Sequence, residues 1–487
     1  MVAYIPQQGQ RQTLASAPPT QADVHRRQKM QEAWKAYKGE LQDPLKVSAD
    51  QPNDNVRINR CAPIVDKGVS FLFGPVVKIE CTDAKPDSPE QQFVDELWGD
   101  DDDRMTLLCE LEMNGAICGT EYVKLIPSPE PGGCPRIVLL DPMLLRIITH
   151  PEDCTLVLAY IIEYPKSADM NKRQIIARID PNSDLMTLGN ADLEDTWTIT
   201  TYVGKGNNEN WSQVGETEDW PYPFPPIFHN KNLPNPNEAY GTPDLTSDLI
   251  GMNKVLNFML SNISRIIKYH GHPKTWAKGI RAAQLQVAVD QTLVLESPDA
   301  QLNVITPMEN FSGLLSVVAD LRSDMDEQSR VPAVALGRMT DLPKGNISGV
   351  ALQLLFQPLL EKTTIKRRLY GRHIRDITRA ALVLGGKIPV DQWETYQVDL
   401  HWQNLLPVDD LAAAQTALIL KQIGVSDSTI MQQLGYDADD EADKSQAEDA
   451  KKLVAYSKGM GMPPAPPNNP MQAQQQDTSQ QKQVGEA

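Results

Sequence analysis

Read from the N-terminus, apolar positions fall first at helical spacing, then in short strand-like runs, then at helical spacing again over longer stretches. The first helical pattern covers about Val24–Lys38 and stops at Gly39, and a second, about Arg57–Phe73, stops before the breaker pair Gly74-Pro75. Ser88–Trp98 and Met105–Asn114 read as two more helices. Strand-like runs follow at about Glu121–Ile126, Arg136–Leu140, Leu144–Thr149, Thr155–Tyr164, Gln174–Ile179 and Thr196–Val203, separated by Pro, Gly, Asn and Asp clusters. This order predicts an α+β domain with a mainly antiparallel sheet. The Trp220–Pro226 run holds four prolines and three aromatics and reads as a stiff loop, exposed or docked.

Helical spacing returns near Pro243, with Thr242 as N-cap and proline at the first helical position. Leu249, Met252, Leu256, Met259, Ile263 and Ile266 form one apolar stripe, with Lys254, Arg265 and Lys268 on the other side. Thr292–Leu295 and Leu302–Ile305 read as strands around the turn at Ser297-Pro298-Asp299. The next helix, about Phe311–Arg330, carries Leu314, Val317, Val318 and Leu321 on one face and Asp320, Asp324 and Glu327 on the opposite one.

A glycine-bounded polar segment with Gly337, Arg338, Lys344 and Gly345 leads into a helical pattern from about Ile347 to Leu384. That is far longer than the roughly 11–12 residue mean of globular helices. Pro358 lies inside it and predicts a kink rather than an end. Beyond it Arg368, Arg372, Arg375 and Arg379 share a narrow stripe, with Tyr370, Ile374, Ile377 and Ala381 opposite. A strand pattern (Tyr396, Val398, Leu400, Trp402) is expected to return to the first domain. Three short helices then follow between Asp409 and Ser457, the first stopped by Gly424. Residues 1–22 and those from about Gly461 onward are low-complexity and expected to be disordered.

A chain of 487 residues predicts roughly two to four domains. The formal charge of −18 argues against a general nucleic-acid binder, though not against a protein that surrounds DNA without gripping it. No run approaches the roughly 18 apolar residues of a membrane span. The N-terminus, lacking an apolar core, is not expected to be a secretory signal, so the chain reads as cytosolic in origin. Six cysteines, Cys61, Cys81, Cys109, Cys118, Cys134 and Cys154, form no C-x-x-C pair or metal-ligand spacing. They read as buried free thiols.

Against the acidic background, Ile250–Val289 holds Lys254, Arg265, Lys268, Lys274, Lys278 and Arg281 and no acid. Repeated around a ring, such an island would meet a phosphate backbone in a sequence-blind, salt-dependent way. The competing reading pairs Lys254, Arg265 and Lys268 with Asp320, Asp324 and Glu327 of a neighbouring helix, which sets register more than stability. The arginine stripe suggests carboxylate partners across a subunit boundary. Phosphate-loop, dinucleotide, metalloprotease and nucleophile-elbow motifs are absent, so no catalytic residue, metal or cofactor is assigned. Asp100–Asp103 reads as an acidic helix start rather than a cation site.

Three segments carry a resemblance. Val331-Pro332, Gly337, a short polar loop, Ser348-Gly349-Val350-Ala351-Leu352 and a long basic helix resemble the portal (head–tail connector) proteins of tailed bacteriophages. Ile64-Val65-Asp66 and Phe71-Leu72-Phe73-Gly74-Pro75-Val76 resemble that family's first wing helix and the strand after it. Glu238-Ala239-Tyr240-Gly241-Thr242-Pro243-Asp244-Leu245, with Asn253 and Asn257, resembles the lead-in to its stem. The pieces stand in family order across about residues 27–456.

The resemblance implies a wing over 23–242 and 387–407, a stem of 243–269 and 310–330, and a clip at 270–309. It further implies a tunnel loop at 331–346, a kinked spine helix at 347–386 and a helical crown at 408–458. It implies a ring, typically a dodecamer, at one capsid vertex of the virion, assembled in the host cytoplasm. Double-stranded DNA would pass through its channel, and its partners would be the terminase large subunit, major capsid and scaffolding proteins, and a head-completion or tail adaptor. On this reading Arg338 and Lys344 approach DNA, the basic island serves stem and clip, and Asp320, Asp324, Glu327, Arg368, Arg372, Arg375 and Arg379 lie at subunit interfaces. The clip strands, too short for a stable sheet alone, are expected to pair with an adjacent subunit. Two alternatives are a DNA-processing enzyme or translocase subunit, resting on the basic island, and a soluble helical adaptor without DNA contact.

Overall fold

Helix-start chemistry sets the N-terminal elements of the computed structural model. It describes residues 13–47, 53–82, 88–167, 170–182, 196–205, 211–270, 275–278, 299, 301–304, 312–338, 349–405, 417–426 and 429–430. The chain divides into two units, Met1–Leu406 and Pro407–Ala487. The first unit begins with α1 (Gln21–Tyr37), α2 (Cys61–Phe73), strand β1 (Lys78–Cys81), α3 (Pro89–Trp98) and α4 (Asp101–Cys118). Thr20 and Asp23 cap α1 reciprocally, and Ser88 caps α3 ahead of Pro89. Asp100 accepts the Asp103 N–H at 2.9 Å, and Asp101–Asp103 fill the first turn of α4, where the helix dipole favours anions.

The strands are β2 (Thr120–Ile126), β3 (Arg136–Leu140), β4 (Leu145–Thr149), β5 (Val157–Ser167), β6 (Met170–Ala177), β7 (Trp197–Lys205), β8 (Trp211–Gln213), β9 (Glu218–Trp220) and β10 (Ile227–Lys231). One sheet runs β4-β5-β6-β7-β8 with β9 also on β7, and a second runs β10-β2-β3. Every described pairing is antiparallel. Three helices follow, α5 (Ser247–His270), α6 (Ser312–Ser329) and α7 (Gly349–Leu384). Between α5 and α6, β11 (Thr275–Lys278) pairs with β12 (Gln301–Val304). The final strand, β13 (Val398–His401), returns to β1 with Cys81 opposite Val398.

The mixed α+β character follows the sequence, and α7 runs unbroken through Pro358. Its predicted apolar face is buried: Tyr370, Ile374, Ile377 and Ala381 are each 0% exposed, in one core with Phe73, Phe93, Leu108 and Phe228. The described cysteines are free. Burial raises the Cys61 and Cys118 thiols to about 12 and the Cys134 thiol to about 11.

Several local expectations give way. Residues 13–20, read as part of a disordered terminus, are in place: Leu14 is fully buried beside β5 and β6, and Arg146 and Arg173 donate to the carbonyls of Ala17, Pro18 and Ala15. Helix α5 starts at Ser247, with Thr246 Oγ1 accepting the Leu249 N–H at 3.4 Å. Thr242 is not its cap, because the N–H groups it would have to accept, those of Asp244 and Leu245, are already bonded to Ala116 O. The neighbouring Gly241 also packs so tightly on Gly119 that a Cβ there would lie 2.4 Å from the Gly119 carbonyl oxygen. Strands β8, β9, β10 and β11 have no counterpart in the sequence reading. The strand expected at 302–305 pairs within the chain, to β11, whereas 292–295 lies outside the described residues. In the second unit a helical segment at 417–422 ends with Gly424 at φ 91°; the next predicted helix is described only at its start, where Ser426 Oγ accepts the Thr429 N–H at 3.4 Å, and the third lies outside the described residues.

Candidate functional site

The most unusual feature of α7 is two lysines on its buried side. Lys362 and Lys366 are 3% and 2% exposed. Lys366 Nζ donates to Glu112 Oε1 at 2.8 Å and to Asp244 Oδ2 at 2.7 Å, while Lys362 Nζ lies 3.2 Å from Asp244 Oδ2 and donates to Ser329 O at 3.1 Å. Asn232 Nδ2 donates to Asp244 Oδ1 at 2.9 Å, and Tyr370 Oη donates to Asn232 Oδ1 at 3.1 Å. Two carboxylates and two ammonium groups thus cancel in a fully buried site that joins α4, the lead-in to α5, the end of α6 and α7.

Burial alone would raise the Asp244 carboxyl, but the charges of Lys362 and Lys366 hold it well below the carboxylate range. Lys366 is likewise held charged: burial opposes the ammonium, and Asp244 and Glu112 outweigh it. Glu112 is raised, because burial exceeds the help it draws from Lys366, and its Oε2 has no hydrogen-bond partner. Such a network fixes which groups must meet more than it adds stability.

A second cluster sits at the base of the glycine-bounded loop. Asp326, 7% exposed near the end of α6, takes the Arg60 guanidinium at 2.6 Å through one oxygen and Arg338 through the other. Arg330 turns the chain with φ 59°, and Val331, fully buried, packs with Ile64 and Leu359. The first residue expected to approach DNA, Arg338, is therefore tied to the body of the protein. The second, Lys344, lies outside the described residues.

The basic island divides in the same way. Lys254 pairs with Glu32 of α1, and Arg265 grips Asp54 Oδ1 through Nε at 3.1 Å and an Nη at 2.9 Å. Lys268 lies 3.6 Å from the other Asp54 oxygen. These intrachain acids, rather than Asp320, Asp324 and Glu327, are the partners within one copy; the three α6 acids are exposed. Lys278 is exposed on β11, whereas Lys274 and Arg281 lie outside the described residues. On α7, Arg372 and Arg379 lie 3.7 and 3.5 Å from Asp376 of their own helix. Arg379 Nε also donates to Tyr396 O at 2.7 Å. Arg368 is exposed and Arg375 half-buried.

Helices α5 and α6 meet through Leu249, Leu256, Ile263, Val318 and Met325. Away from that contact Val255, Phe258 and Ile267 of α5, and Leu315 and Val317 of α6, are about half-exposed. Val317 was expected on the buried face.

Sequence reasoning passed over Glu112, Asp244, Lys362 and Lys366. One signal was available: Lys362 and Lys366 continue, at four-residue steps, the stripe of Tyr370 and Ile374.

A family model described as "Phage portal protein, SPP1 Gp6-like" matches residues 20–453. A comparison with curated proteins gives no match. Among solved structures, the chain is similar to one from "Virion of native gene transfer agent (GTA) particle", at 15% identity and a TM-score of 0.43, over 77% of this chain and 90% of that one.

Proposed function

Because the chain belongs to the SPP1 Gp6-like family of phage portal proteins, a structural component of the virion, we propose that it closes into a dodecameric ring at one capsid vertex. Its channel passes double-stranded DNA during packaging and ejection, and it docks the terminase large subunit and later a head-completion or tail adaptor. The family match over residues 20–453 carries this reading. The half-exposed Val255 and Phe258, one turn apart on α5, support it, since neighbouring apolar side chains on a helix face call for a partner. In this assignment α5 and α6 are the stem, β11 and β12 belong to the clip, α7 is the spine and 408–458 the crown.

Arg338 and Lys344 are then the residues nearest DNA, with Arg338 reaching it only after leaving Asp326. Lys274, Lys278 and Arg281 face terminase or DNA at the clip. Asp320, Asp324, Glu327 and the arginines 368, 372, 375 and 379 lie toward neighbouring copies, with capsid and scaffolding proteins around the wing. ATP hydrolysis belongs to the motor partner. The enzyme alternative rested on the basic island, and three of its members, Lys254, Arg265 and Lys268, already have carboxylate partners in the chain. Mass measurement of the purified assembly together with negative-stain images tests the proposal. A ring with a central channel is expected, and a persistent monomer or dimer would overturn it.

A further inference from the structure

The aromatic–proline run at Trp220–Pro226 has no part in the account above, yet it is built with care from the inside. Trp220 Nε1 donates to Phe224 O at 2.8 Å, closing the run on itself. The rings follow one another: Trp220 to Tyr222 at 5.2 Å edge-on, Tyr222 to Phe224 stacked at 5.5 Å, and Phe224 to Trp393 at 5.2 Å. Trp393 arrives from a distant part of the chain, directly after the short 3₁₀ turn Val390–Gln392. Between the two segments lies an open cleft of about 640 Å³, walled by Pro221, Tyr222, Pro223 and Trp393, with Asp391 and Glu394 exposed beside them. The indole Nε1 of Trp393 makes no hydrogen bond among the described residues.

This cleft offers flat apolar faces, an indole N–H, two carboxylates and the hydroxyl-bearing Thr196, Tyr222 and Thr395 at its wall. A compact polar metabolite would find too few polar contacts in so shallow a site. Nucleic-acid bases do stack on aromatic rings, but a single strand also needs a positive groove for its phosphates, and this one is acidic. A polyproline II helix fits each feature. Its proline rings present flat apolar ridges, its carbonyls are all free to accept from an indole N–H, and its rigidity lowers the entropy cost of binding. The carboxylates call for a lysine or arginine beside the prolines. We propose that this cleft binds a proline-rich, lysine- or arginine-bearing segment of a partner protein in the polyproline II conformation. The proposal stands independently of ring formation.

The test is fluorescence anisotropy of the full-length protein with a fluorescein-labelled peptide, Arg-Pro-Pro-Ala-Pro-Pro-Arg. Control peptides carry Glu for Arg or Ser for Pro, and an unlabelled oligothymidylate competes. Saturable binding of the first peptide is expected, with loss of binding for the Ser peptide. Glu394→Lys should weaken binding by about fivefold, the scale of an exposed ion pair, and shift preference toward the Glu peptide. Trp393 packs on Phe224, so Trp393→Ala risks the fold. Val390→Arg, at a half-exposed position lining the same cleft, fills it without touching the core and should abolish binding. The proposal is overturned if folded wild-type protein shows no saturable binding or binds the Ser peptide equally well. Unchanged binding by Val390→Arg, or displacement by oligothymidylate in preference to peptide, would overturn it too.

Discussion

Replacing Lys366 by methionine keeps the volume and removes one charge from a site with no access to water. Removing one partner of a buried pair costs about 3–5 kcal/mol, because the charge left behind is uncompensated. The geometry here splits that cost unevenly. Asp244 keeps Lys362 at 3.2 Å and the Asn232 amide at 2.9 Å, whereas Glu112 loses the one hydrogen bond the structure gives it, at 2.8 Å. Burial already raises Glu112, and losing the Lys366 charge raises it further, so taking up a proton relieves part of the cost. The expected loss at neutral pH is therefore near the lower end, about 3 kcal/mol. Its pH dependence has a definite sign. With the folded-state pKa of Glu112 raised above its unfolded value, the folded form binds the extra proton, so the variant loses stability as pH rises through that window and regains it on acidification. Urea unfolding followed by tryptophan fluorescence, at fixed protein concentration so that assembly does not shift the midpoint, measures the difference. The double variant Glu112→Gln/Lys366→Met should recover most of the loss. A cost under about 1 kcal/mol for the single variant, or a double variant no more stable than the single, would refute the argument that the buried charges depend on one another.

Gly115→Ala places a Cβ 2.1 Å from Tyr370 Oη, which forces Tyr370 off Asn232. A stability loss of about 1–3 kcal/mol from overpacking is expected by urea unfolding, and no loss would mean that α4 shifts freely. Arg265→Glu should lower stability by at most about 1 kcal/mol, with recovery on adding Asp54→Arg. Rescue of ring assembly by Asp320→Lys or Asp324→Lys, read by mass measurement, would instead assign the charge to a neighbouring copy. Shortening the segment 339–346 should impair DNA packaging or retention while rings still assemble; loss of assembly would make that segment an interface element.

Period and punctuation carried much of the fold. The burial of Tyr370, Ile374, Ile377 and Ala381 follows from helical spacing, the α3 start from Ser88-Pro89, and the return of β13 to the first unit from alternation at Val398 and Leu400. The charge network was illegible for a different reason. A lysine on a helix defaults to solvent, and the partners that reverse the default, Glu112 and Asp244, lie 254 and 122 residues from Lys366. The start of α5 was misplaced because Thr242-Pro243 has the right local chemistry for a cap, while the deciding contact comes from Ala116, whose carbonyl takes the Asp244 and Leu245 N–H groups. Strand β10 follows the proline run directly and ends in the polar run His229–Lys231, so loop-like residues on both sides hid it.

Helices α5 and α6 mark where sequence reading stops in principle. Hydrophobic period says which positions avoid water, but it is silent on what covers them. Leu256 and Phe258 are both apolar positions of α5, yet Leu256 is fully buried within the chain and Phe258 is 48% exposed. The same holds for Val318 at 4% and Val317 at 48% on α6. Assigning both members of each pair to one core overfills a face that a two-helix contact cannot bury, since a helix buries one stripe against one neighbour. Apolar side chains left half-exposed outside the α5–α6 contact therefore call for a further contact, and in a chain of this family a further copy of the same protein is the natural source of it.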